Sequence, residues 1–343
     1  MRVSPYLWCG SALLVALVLS LTLGSEPFPL EDIGRTLLRG FGLLESSPET
    51  ETDDKIFFGL RLPGSVLMLL VGAALGGSGA AYQGLLRNPL ADPYLIGVAP
   101  GAALGLVTAL SVFRALPVSP EITTLAASLP VAAFLGAILT VFVVYRIARV
   151  DSSAPVTTLI LAGVAIGAFA TALTWFLMLQ TEYNSNRIVL FMLGGYSQGG
   201  WPPVLTALPY IGAGLIIIIL LARPLNVLQF GEEQALQMGL PVERVKLVLI
   251  LAASLAAAAS VAVAGIIGFV GLVVPHVIRI IWGPDYRRLI PLATLTGATT
   301  LLVADTITRA VASVRVLPVG IVTALMGVPF FIYLLRREKR SYW

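Results

Sequence analysis

Residues 245–282 form one predominantly apolar run of about 38 residues, longer than a single membrane crossing allows. At about 1.5 Å per residue, a straight helix of that length would exceed a hydrocarbon layer of roughly 30 Å almost twofold. The run therefore predicts two crossings joined by a break. Gly265, Gly268 and Gly271, three glycines within seven residues, mark where the helix loosens. Further apolar runs predict crossings at residues 6–23, 63–83, 93–112, 125–145, 156–179, 204–221, 289–311 and 317–335, which makes ten.

Composition agrees with that count. Of 343 residues, 57% are hydrophobic and 12% charged, and the mean hydropathy is +0.93, so lipid is the main solvent of the chain. The predicted fold class is an all-α polytopic membrane protein, one transmembrane domain over residues 1–343 with no sizeable soluble part. Residues 1–23 begin with Arg2 and an apolar run, but no small-x-small cleavage site is obvious before Ser25, so they read as a retained first helix. The single cysteine, Cys9, excludes an intramolecular disulfide.

The net charge of +4 is spread between helix ends rather than gathered in a stripe, which points to positive-inside topology and away from nucleic acid. An even number of crossings puts both termini on one side, and Arg336, Arg337, Lys339 and Arg340 mark that side as cytoplasmic. Arg87, Arg146, Arg149, Arg223, Arg244, Lys246, Arg279, Arg287 and Arg288 fall on the same side. Glu45, Glu49, Glu51, Asp53 and Asp54 fall outside, together with Arg35, Arg39, Arg61, Arg114 and Arg187. The outer loop, residues 24–62, holds an amphipathic stretch at 30–44 and then a polar run expected to be mobile. The inner loop, residues 223–244, reads as two short helices divided by Gly239 and Pro241.

Several chemistries are missing. None of the three lysines, Lys55, Lys246 and Lys339, follows a glycine, so no phosphate loop is present and ATP hydrolysis by that route is excluded. One His and one Cys make no conventional zinc or haem ligand set, and no metal site is expected. Ion-coupled carriers keep ionisable groups within their spans, but here Asp305 is the acidic candidate and Arg309 stands one turn away as its expected partner. An ion-coupled secondary transporter is thus the rival reading, without its usual machinery.

The segment at residues 61–105 reads RLPGSVLMLLVGAALGGSGAAYQGLLRNPLADPYLIGVAPGAALG. Gly72, Gly76, Gly79 and Ala80 allow close helix approach, and Asn88, Pro89 and Pro93 force a tight inner turn. A second block carries AGIIGFVGLVVPHVIRIIWGPDYRRLIP, LLVADTITR and LPVGIVTALMGVPFFIYLL within residues 264–335. Between them lie MLGGYSQGGW at 192–201 and FGEEQALQMGL at 230–240. Together these strings resemble the membrane-spanning permease subunits of the iron-siderophore, haem and cobalamin ABC importers, the type II importers, over nearly the whole chain beyond the first span.

The resemblance implies a ten-helix permease in the bacterial inner membrane, moving a metal chelate from periplasm to cytoplasm by alternating access. It implies a homodimer or a pair with a homologous permease, two ATPase subunits inside and a periplasmic substrate-binding protein outside. ATP and Mg would belong to the ATPase chains, and this chain would be no enzyme and bind no cofactor. Gly231, Glu232, Glu233, Ala235, Gly239 and Leu240 are the matching ATPase-coupling residues, Arg61 and Arg309 the matching docking arginines. Met192, Gly194, Gly195 and Ser197 resemble the lining of the translocation pathway, with a helix-capping glycine turn as the alternative. Gly64 stands where the family has a second arginine and Val316 where it has an acid, with Arg315 as a compensating candidate. His276 matches the family pattern near the inner end of the eighth span and is not expected to bind substrate.

Overall fold

A computed structural model describes residues 4–24, 28–40, 42–45, 50–115, 122–150, 153–180, 185–195, 199–311 and 317–339. Among these residues the chain is helical, with an isolated bridge between Val150 and Ser153 and no strand. The helices are α1 (Pro5–Thr22), α2 (Leu30–Gly40), α3 (Glu51–Ile56), α4 (Leu62–Leu85), α5 (Val98–Ala115), α6 (Ile122–Ala148), α7 (Val156–Leu179), α8 (Ser185–Met192), α9 (Trp201–Leu220), α10 (Ala222–Leu228), α11 (Glu232–Gln237), α12 (Val242–Ala264), α13 (Val270–Trp282), α14 (Tyr286–Val311) and α15 (Val319–Lys339). Among the described residues seven helices are long and apolar enough to span a membrane, and α5, α13 and α15 contribute shorter apolar stretches, which together are the ten expected.

Small residues set the packing, as expected where lipid gives helices no hydrophobic reason to associate. Gly72 and Gly76 of α4 meet Ala293 and Gly297 of α14 backbone to backbone, and a Cβ at any of these three glycines would collide with the opposite carbonyl. Gly101 and Gly105 of α5 meet Ala132 and Gly136 of α6 in the same manner. Gly79 abuts Gly271 of α13. Helix α4 is thereby enclosed by α12, α13 and α14, and two of its buried polar side chains bond across helices. Tyr82 Oη pairs with Ser254 Oγ at 2.5 Å, and Gln83 Nε2 donates to the Leu272 carbonyl at 2.9 Å.

Four expectations need correction. The break in the 38-residue run covers residues 265–269 only, with Gly265 at φ 81° and Phe269 at φ 69°; Gly271 lies inside α13 and serves close packing against Pro93 and Leu75. The third crossing begins at Val98, not 93, because Asp92 caps a 3-10 turn (Pro93–Ile96) and Gly97 reverses the chain at φ 85°. The polar run after α2 is not wholly loose. Residues 51–56 form α3, which continues through a π-helical turn (Phe57–Arg61) into α4, and Asp54 is bound by Arg39 at 2.8 Å. Pro63 has no N–H for the Gly59 carbonyl, and the widened turn falls at that point. Lastly, the loop at residues 223–244 is divided by Gly231, at φ 112°, into α10 and α11, whereas Gly239 and Pro241 separate α11 from α12.

Candidate functional site

The loop between α9 and α12 is fastened to the transmembrane core at both of its helices. In α10, Asn226 Nδ2 donates to Asp285 Oδ1 at 2.7 Å, and the Tyr286 amide donates to Asn226 Oδ1 at 2.9 Å, tying α10 to the start of α14. Gln229 Nε2 donates to the Gly84 carbonyl at the end of α4, 3.0 Å away. The hydrogen bond from Arg287, helped by Asn226 and opposed by partial burial, lowers the Asp285 carboxyl to about 2, so it is ionised and holds this junction.

In α11, Ala235 is fully buried, and Glu232 faces inward to Lys246 Nζ at 3.0 Å. The Lys246 side chain is only 2% exposed, and a cation so buried requires partners; Glu243, 2.9 Å away, is the second. Glu233 and Gly239 stay on the surface, and Leu240 is half-buried. Phe230, Leu236 and Met238 are apolar yet exposed by about 60% each, unlike Leu225 and Leu228 of the same loop, which are buried. Of the residues matched to ATPase coupling, Glu232 and Ala235 thus turn inward and anchor the loop, while Glu233 and Gly239 face outward. The structure adds Asn226, Gln229 and Lys246 as anchors of the loop and Phe230, Leu236 and Met238 as its exposed apolar side chains, for which apolar residues spaced along a polar string were the available signal.

At the opposite end, Arg61 and Arg309 come together although 248 positions separate them. Both approach Gly24 and line a cavity of about 380 Å³ with Leu60, Gly64 and Asp305. Arg309 Nε binds Asp305 Oδ2 at 2.8 Å, as the spacing predicts, and its other nitrogens reach the Ser20 carbonyl and Oγ at 3.1 and 2.7 Å. Arg61 donates to the Leu21 carbonyl at 2.9 Å and lies over the Phe28 ring. Nothing stands within 4 Å of a Cβ at Gly64, so the glycine leaves the cavity wider than an arginine would. Arg315 and Val316 lie outside the described residues.

The glycines after α8 form a helix-capping turn. Gly194 has φ 70°, and the Gly195 amide donates to the Leu190 carbonyl at 2.8 Å. This turn binds the break after α12, since the Ile266 amide donates to the Phe191 carbonyl at 2.8 Å, and the start of α15, since the Gly320 amide donates to the Leu193 carbonyl at 3.1 Å. Met192 is half-buried and Leu193 is 38% exposed beside it. Ser197 lies outside the described residues. Tyr94 Oη completes the junction by donating to the Ile267 carbonyl at 3.0 Å. His276 is buried beside Phe330, away from this turn in the chain and packed as a core side chain.

Comparison with known proteins gives a consistent picture. The model of the FecCD transport family matches residues 12–337. An uncharacterized ABC transporter permease protein, YvrB of Bacillus subtilis, is 40% identical over 99% of this chain and 95% of its own length. The cobalamin import system permease protein BtuC of Halobacterium salinarum is 41% identical over 93% of this chain and 82% of its own. The hemin transport system permease protein HmuU of Yersinia pestis is 37% identical over 99% of both. A solved structure described as an inward-facing metal-chelate type ABC transporter superposes with a TM-score of 0.80, at 28% identity, covering 96% of this chain and 98% of that one.

Proposed function

Since this chain belongs to the FecCD transport family, and is thus a multi-pass membrane permease of the ABC importer type, we propose that it moves a metal chelate of the cobalamin, haem or iron-siderophore kind inward under the power of separate ATPase chains. The observation that carries this reading is the exposure of Phe230, Leu236 and Met238 on a loop whose helices are anchored to α4, α12 and α14. An ATPase subunit seated on those side chains would pull on three core helices at once. Its ATP and Mg²⁺ would stay on the partner, as this sequence has no phosphate loop.

In this reading α10 and α11 face the cytoplasm, as do both termini, and the protein sits in the bacterial inner membrane. A second copy or a homologous permease completes the path, to which Met192, Leu193 and the Gly194–Gly195 turn contribute. The turn touches the breaks at residues 265–269 and the start of α15, so tilting of these helices would open and close the passage by alternating access. A substrate-binding protein docks over Arg61 and Arg309. Their internal bonds to Ser20, Leu21 and Asp305 hold both guanidinium groups at one cavity, where they steer an acidic partner.

The test is purification of the complex followed by uptake in vesicles. A co-purifying chain with a phosphate loop, and chelate uptake that requires ATP, are expected. Uptake by this chain alone on an ion gradient, without ATP, would sink the proposal in favour of a secondary carrier.

A further inference from the structure

A wide, mostly apolar groove of about 890 Å³ opens between α1, α13 and α14. Ala12, Val277 and Ile281 line it, with Trp8, Trp282 and the exposed Arg288 nearer the helix ends. Helix α1 packs its Cys9 and Ala16 side onto the protein and leaves Leu7 and Trp8 more than 60% exposed, while Ile280 and Ile281 of α13 are more than half exposed. Both walls are apolar enough to lie in a membrane, so the groove opens to hydrocarbon.

The rim has a different character. Trp8 and Trp282 sit near helix ends, where amphipathic rings settle at the headgroup level. Arg287 and Arg288 follow each other in the first turn of α14, where a positive side chain gains nothing from the helix dipole. Arg287 is compensated by Asp285 at 3.0 Å. Arg288 is exposed and forms no ion pair among the described residues. An uncompensated cation at the mouth of a membrane-facing apolar channel complements a molecule with one anionic end and a long hydrocarbon tail.

We propose that this groove binds an anionic phospholipid, its phosphate at Arg288, its headgroup region flanked by Trp8 and Trp282, and an acyl chain along the apolar walls. A cation near the membrane surface favours anionic over zwitterionic lipid by roughly fivefold, which sets the expected preference. The site is independent of the cargo path, because its residues are distinct from those of the Gly194–Gly195 turn and of the Arg61–Arg309 cavity.

The test reads tryptophan quenching in the purified transporter, reconstituted in vesicles whose brominated lipid is either phosphatidylglycerol or phosphatidylcholine. Wild type should be quenched more by brominated phosphatidylglycerol, and a Trp8→Phe, Trp282→Phe variant should lose that excess, locating it to the groove. Arg288→Gln should also lose it, while Arg287→Gln, which removes the neighbouring charge, should keep it. Equal quenching of wild type by the two lipids, or an excess that survives Arg288→Gln, would overturn the proposal. So would relief of the excess by millimolar inorganic phosphate, which would mark a soluble-anion site, or quenching by both lipids that is the same in wild type and in the Trp8→Phe, Trp282→Phe variant, which would mark a groove covered by protein. ATP-dependent uptake, measured on the same vesicles, reports separately on the transport function.

Discussion

Lys246 Nζ lies 3.0 Å from Glu232 Oε2 and 2.9 Å from Glu243 Oε1, so the starts of α11 and α12 share one buried cation. Glu232 is therefore an anchor of the loop between α9 and α12. Glu232→Gln leaves Lys246 with Glu243 alone and is expected to cost about 1–3 kcal/mol, read as a lowered midpoint of thermal unfolding in detergent. Leu236→Asp with Met238→Asp touches only exposed side chains; it should change stability by less than about 0.5 kcal/mol yet abolish co-purification of the ATPase chain. Retained co-purification would show that these side chains are not the contact.

Tyr94 Oη is held at 3.0 Å from the Ile267 carbonyl, joining the turn before α5 to the break between α12 and α13. Tyr94→Phe strands that carbonyl in a buried site and should destabilise by about 1–3 kcal/mol. Hydrogen exchange at residues 265–269 should quicken more than in α4. Unchanged exchange there would separate the tyrosine from the mobility of the break.

Gly79 and Gly271 meet with no room for a side chain between them. Gly79→Val should force α4 from α13 at a cost on the order of 3 kcal/mol or more, seen as loss of a monodisperse peak in size-exclusion chromatography. Gly212 of α9 has nothing within 4 Å of its Cβ position, so Gly212→Ala should be neutral or stabilising by up to about 1 kcal/mol. Equal behaviour of the two variants would contradict the packing described.

Asp285 is held at about 2, below its ordinary 3.8, chiefly by Arg287. Because the folded value is the lower one, its stabilising contribution is complete above 3.8 and is lost as the pH falls through 3.8 towards 2. Asp285→Asn should lower the unfolding temperature at pH 6, and its gap from wild type should close between about pH 4 and pH 2. A gap that stays constant over that interval would show that the carboxylate charge is not what holds the junction.

Much of this architecture was legible from local pattern. A bilayer demands about 20 apolar residues per crossing and internally bonded backbone, so run length located the long apolar helices to within a few residues and required a break between α12 and α13, but not the short helices α3, α8, α10 and α11. The Asp305–Arg309 pair was readable because one helical turn brings i and i+4 together. Gly194 and Gly195 were readable as a cap for the same reason: their geometry is local. Which faces of the loop between α9 and α12 are buried and which exposed was not readable from its string.

Sequence by itself determined the number of crossings, the small-residue seams and the absence of a phosphate loop, because each depends on neighbours within a few turns. Tertiary structure decided which partners those residues take. It turned Glu232 onto Lys246, set Gly79 against Gly271, and brought Arg61 and Arg309 to one cavity. These are meetings of residues up to 248 positions apart, and no period of helix or strand encodes them; they follow only once the helices have packed.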